Sequence, residues 1–122
     1  MADNKQYINH PQDGGSIQIS EDVISTITSH AVNEVEGVIG LSAKPAADIV
    51  ELIGKKNWGK GIKISIAEDN TLVIECSIVI AYGQNIVSVA DSVQQAVYSA
   101  VESMTGVKPA AVNVNICQIV RQ

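Results

Sequence analysis

The spacing of apolar and polar positions changes its period several times along the chain, and each change marks an element. Ile17 and Ile19 alternate with Ser16, Gln18 and Ser20, the two-residue period of a short strand. Ser20 stands where a helix N-cap belongs, and Glu21 and Asp22 follow, where the positive end of a helix dipole favours acids. From Glu21 to Glu36 the residues Val23, Ile24, Ile27, Ala31 and Val35 recur at helical spacing, and Gly37 offers the left-handed turn that ends such a helix. The VIGL run from Val38 to Leu41 reads as a brief extended segment, closed by Lys44 and Pro45. Ile49, Val50 and Ile53 share one side of a short helix predicted over Ala46 to Gly54.

Strand periodicity returns after Gly59 and Gly61. Ile62, Ile64 and Ile66 alternate with Lys63, Ser65 and Ala67, and the polar reversal Glu68 to Thr71 leads into a longer run, Leu72 to Tyr82. That run is apolar on one face and partly apolar on the other, as a central strand should be, and the four-residue connection makes the pair an antiparallel hairpin. Gly83 turns the chain and Asn85 can cap a second helix. Ile86, Val89, Ala90, Val93, Val97, Ala100, Val101 and Met104 then hold helical spacing as far as Gly106. Val112, Val114, Ile116 and Val120 close the chain as a strand.

This order predicts an α+β fold: a mixed β-sheet with two main amphipathic helices packed on one face, in ferredoxin-like order with an insertion at residues 38 to 60. Its length of 122 residues suits one core, placed in residues 15 to 122. Residues 1 to 14 are polar and without period, which reads as a flexible N-terminal arm.

Composition narrows the function. Aromatic residues make up 3% of the chain, with no Phe, which leaves few rings on which bases or sugars could stack. A net charge of -5 weighs further against nucleic acid and anionic lipid as partners. No run approaches a membrane span, and the polar start has no basic and apolar halves of a secretion signal, so a cytoplasmic protein without direct membrane insertion is expected. Cys76 and Cys117 lie in strand-like runs without metal-ligand spacing and read as reduced, buried thiols, with a cross-strand disulfide as the other reading.

Chemistry is sparse. His30 and Glu34 share a helix face, but two side chains do not make a metal site, and a solvated pair is the simpler reading. Glu75, the one acid in the long strand, has Lys63 and Ser77 as cross-strand neighbours. No nucleophile, phosphate-binding or zinc motif appears, so no catalytic, cofactor-binding or metal residue is assigned, and the protein is expected not to be an enzyme. The unusual stretch runs from Gly54 to Lys63. Residues 44 to 63 carry five lysines against Asp48 and Glu51, net +3, which leaves -8 for the rest. Lys55, Lys56, Trp58 and Lys60 therefore form one candidate partner contact, although in a chain without Phe the simpler reading of Trp58 is that it folds back and caps the core. Gln94, Gln95 and Tyr98, on the low-charge side of the second helix, form another, suited to self-association or simply to hydration.

Four segments resemble the alkaline shock protein family of small stress-associated proteins in Gram-positive bacteria. They are EVEGV at Glu34 to Val38, the Tyr82-Gly83 pair, the pattern of Val89, Ala90, Val93 and Gln94, and VNVNI at Val112 to Ile116. The resemblance runs from Gly15 to Val120. It implies a non-enzymatic cytoplasmic protein of cell-envelope homeostasis, without metal or cofactor. Such a protein would act by protein-protein interaction as a homo-oligomer and be drawn to the membrane by a membrane-anchored protein of the same family. It also implies an alternative, a regulator of fatty-acid or acetyl-CoA metabolism that binds a metabolic enzyme.

Overall fold

The computed structural model of the chain describes residues 7–42 and 61–121. Its elements run β1 (Tyr7–Gln12), β2 (Gly15–Ser20), α1 (Glu21–Asn33), β3 (Val38–Leu41), β4 (Ile62–Ile66), β5 (Leu72–Ala81), α2 (Ile86–Thr105) and β6 (Ala111–Val120). The fold class is the expected one, α+β with a mixed sheet. The short helix expected over Ala46 to Gly54 lies outside the described residues.

β5 is the axis of the sheet. β6 pairs parallel to it along its whole length. On its other edge, β3 pairs antiparallel with Ile78 to Ile80 and β4 with Leu72 to Cys76, so two short strands share one lane. They meet at Ser77, whose N–H donates to the Gly61 carbonyl at 2.9 Å and whose carbonyl accepts from the Ser42 N–H at 2.9 Å. Gly61 has φ +80° and lies so close to Ser42 that an added Cβ would collide with the Ser42 carbonyl oxygen. Only glycine allows the chain to re-enter the lane there.

The helices form one layer over this sheet. α1 packs against β3 and β4, α2 against β6, and the two against each other. Leu72, Ile74, Cys76, Ile78 and Ile80 alternate along β5 and are fully buried, against Ile24, Val32, Val93, Val97 and Val101 from the helices. Asn85 caps α2 by accepting from the Ser88 N–H at 3.0 Å, and Gly106 ends it in the left-handed region. Ser20 occupies the N-cap position of α1 in extended backbone, but its side chain makes no capping bond.

The N-terminal segment differs from expectation. Residues 7–12, read as part of a flexible arm, form β1 and pair along their whole length with β2. β2 accordingly stays out of the central sheet. Ile8 and Asn9 both dock this hairpin. Asn9 and Asn70 exchange bonds, the Asn9 N–H donating to Asn70 Oδ1 at 3.2 Å and Asn70 Nδ2 donating to the Asn9 carbonyl at 3.0 Å. Ile8 is 1% exposed and joins the core, which is what closes the end of the sandwich. Asn70 sits at φ +69° in the β4–β5 turn, which Asp69 stiffens by accepting from the Thr71 hydroxyl and N–H. Those bonds to Thr71 hold the Asp69 carboxyl below its ordinary pKa of 3.8. The sequence hid this hairpin because Ile8 is a single apolar residue in a polar stretch, and one residue has no period.

Truncating Ile8 tests the docking. Ile8→Ala removes a fully buried side chain and should cost about 2–4 kcal/mol of unfolding free energy in urea titration. A loose arm would show no change.

Candidate interaction surfaces

Three surfaces stand out among the described residues. The first is a groove between α1 and α2. Its floor is Ile27, Ala31, Val35, Ala96 and Ala100, and its rim is Thr26, His30, Glu34 and Met104, around a volume of about 550 Å³. Ala31, Ala96 and Ala100 explain it: methyl side chains where two helices face each other leave space that a longer residue would fill. Met104, 71% exposed, adds a flexible apolar side chain at one end. Glu34 and His30 stand side by side on the rim at i and i+4 spacing, with no further acid, Cys or His in the lining.

The second surface is the face of the sheet opposite the helices. Register places Lys63, Glu75 and Asn113 in one row across it, with Ser77 beside Asn115 in the next. The expected neighbourhood of Glu75 with Lys63 is thus present as a direct cross-strand pair. Ser77 is fully buried, and its Oγ makes no hydrogen bond.

The third is the outer edge of β6. Both backbone groups of Ser77 bond toward β3 and β4, so odd-numbered residues of β5 face that lane and even-numbered ones face β6. Ile74 lies opposite Val112 and Cys76 opposite Val114. In a parallel pair such residues bond to the neighbours of their partners, so Val112, Val114 and Ile116 turn their own N–H and carbonyl groups outward. The Gln94 side chain confirms the direction, since its Nε2 donates to the Val112 carbonyl at 2.9 Å. A bulge at Cys117 interrupts the regular edge, because Ile78 pairs with Ile116 and Val79 with Gln118.

Gln94, one of the candidate contact residues, is therefore committed to this edge. Tyr98 follows it at helical spacing, 37% exposed, on the same stripe as Val87. Gln95 is exposed and points away from the stripe. Lys55, Lys56, Trp58 and Lys60 lie outside the described residues. Sequence reading overlooked the groove and the edge; the signal for the groove was the i, i+4 pair Ala96 and Ala100 facing Ala31.

Among the described residues ionisable groups do not converge, and no three His, Cys, Asp or Glu side chains are placed to hold a metal. His10 lies on the hairpin against the C-terminus of α2, and His30 on the groove rim. The cysteines are unlike each other. Burial, reinforced by the charge of Glu75, pushes the Cys76 thiol up to about 12. Cys117 is exposed on the bulge, which corrects the expectation that both are buried, and both are free thiols. No helix among the described residues is long and apolar enough to cross a membrane.

Residues 9–121 match the model of the alkaline shock protein (ASP23) family, described as having a cell envelope-related function. The chain belongs to that family. Among curated proteins it is 34% identical to YqhY of Bacillus subtilis over 105 residues, covering 86% of this chain and 77% of that one. It is also 34% identical to Spy1535 of Streptococcus pyogenes serotype M6, with coverage of 88% and 81%. YloU of Bacillus subtilis is 28% identical, with coverage of 84% and 86%. A solved structure of a MamM CTD variant aligns with 84% of this chain and 95% of its own at a TM-score of 0.48 and 12% identity.

The two thiols of this alkaline shock family chain should separate kinetically. A disulfide reagent at neutral pH is expected to modify Cys117 at once and Cys76 only on unfolding, because the nucleophile is the thiolate. Equal rates for the two would contradict the burial of Cys76.

Proposed function

We propose that this protein serves the cell envelope as a non-enzymatic binding domain. It associates with copies of itself and with a membrane-anchored protein of the same family, which brings it from the cytoplasm to the membrane periphery. The observation that carries the reading is the open apolar groove between α1 and α2. Its floor is all Ile, Val and Ala, a lining suited to an apolar side chain of a partner and unsuited to holding or activating a polar substrate. The family's cell envelope-related function supplies the setting.

The groove reading is tested with Ala100→Glu, which places a carboxylate on its floor. Co-purification with a co-expressed membrane-anchored family member is expected to fall roughly tenfold or more, since a charge buried without a partner costs at least about 1.4 kcal/mol. The thermal midpoint of the variant should stay near that of the parent, because the floor is open to solvent before binding. Undiminished recovery of the complex would remove the groove from the interaction.

A further inference from the structure

We infer that the chain self-associates through the outer edge of β6, pairing antiparallel with β6 of a second copy about a twofold axis at Val114. The inference rests on the self-association proposed above and names its interface.

The two edges of the central sheet are built differently. On one side the lane is divided between β3, of four residues, and β4, of five, with Lys63 within it. Short strands and a lysine are the usual means of keeping an edge from recruiting another strand. β6, on the other side, is ten residues long and has neither charge nor proline. Val112, Val114 and Ile116 present their backbone groups outward, and the Cys117 bulge ends the regular stretch.

Charge selects the second copy as the occupant. Outside residues 44 to 63 the chain is net -8, so copies repel each other wherever those surfaces meet. An antiparallel β6 pair brings uncharged residues only into register. Centring it on Val114 places Val112 opposite the partner's Ile116, so all three outward residues bond at once, the Val112 carbonyl through the lone pair that Gln94 leaves free; a twofold axis one residue away leaves one of them unmatched. The flanks fit as well. Val87 is 76% exposed and Tyr98 37% on the α2 stripe beside this edge, where the exposed Asp91 is the charge that pairing leaves at the solvent rim. Ile119, in register with the helix-facing Ile80, is 43% exposed. Pairing would cover these residues against their equivalents, adding apolar burial to the backbone bonds.

The register yields a specific test. Asn113 lies opposite the partner's Asn115, in the closer, non-hydrogen-bonded type of cross-strand pair, and both side chains are exposed on the open sheet face of the isolated chain. Asn113→Lys with Asn115→Lys sets lysine against lysine at two symmetric positions. Asn113→Lys with Asn115→Glu sets lysine against glutamate. Sedimentation velocity on the full chain at low salt should show a dimer for the parent, a dimer dissociation constant raised roughly tenfold for the Lys/Lys form, and recovery in the Lys/Glu form. A parent dimer that ignores Lys/Lys, or one weakened equally by both pairs, overturns the β6 interface and leaves self-association standing. A parent that sediments as a monomer throughout overturns self-association itself. A spin label on the native Cys117 gives a second readout without any substitution. Cys117 and its copy are six residues apart across the axis on each strand, so their labels should lie about 20–30 Å apart. A separation beyond about 40 Å, or none measurable in a dimer, overturns the inference.

Discussion

Ten residues of β5, Leu72 to Ala81, bond along both edges, and every other layer of the molecule is registered against them. Because side chains alternate along a strand, this one backbone turns Leu72, Ile74, Cys76, Ile78 and Ile80 toward the helices, where all five are fully buried. A slip of one residue would exchange them for Val73, Glu75, Ser77 and Val79 and put a carboxylate into the core. The burial that fixes this register also silences the Cys76 thiol and turns Glu75 and Ser77 to the opposite face of the sheet.

The same constraint determines what remains available for binding. Two helices on one face are sufficient to cover β5, and the alanines where they meet leave a groove rather than a seam. β6 completes one side of β5, and among the described residues no strand lies beyond it. Its outward backbone groups are partly answered by Gln94, which ties α2 to the edge and places Tyr98 and Val87 beside it. The surfaces of this alkaline shock family member are therefore of two kinds, a small apolar groove suited to side chains and an uncharged edge suited to a backbone.

Much of this was legible in the sequence. The alternation of Ile62 to Ile66 and Leu72 to Tyr82, the polar reversal between them and the helical stripe from Ile86 to Met104 with Asn85 and Gly106 at its ends each reproduce the observed element to within a residue or so. Helix α1 stops at Asn33, three residues before the expected end, and the chain turns through Glu34 and Gly37 into β3. Local periodicity and capping chemistry suffice for such elements because the signal lies within one segment. Of the uncharged trio on the second helix, the structure sets Gln94 and Tyr98 on the stripe beside β6 and Gln95 off it.

Other features are set by residues far apart in the chain, and periodicity cannot report them. Ile8 enters the core because Asn9 finds Asn70, 61 residues away, in a left-handed turn conformation. The shared lane of β3 and β4 exists because Ser42 and Gly61 both bond to Ser77. The groove needs Ala31 on one helix to face Ala96 and Ala100 on another, and the exposure of Cys117 comes from a bulge forced by the match between β5 and β6. The sequence by itself determined most of the elements, their polarity and their family. The tertiary structure decided which edges and faces stay uncovered, because exposure is a property of how segments pack together and no single segment encodes it.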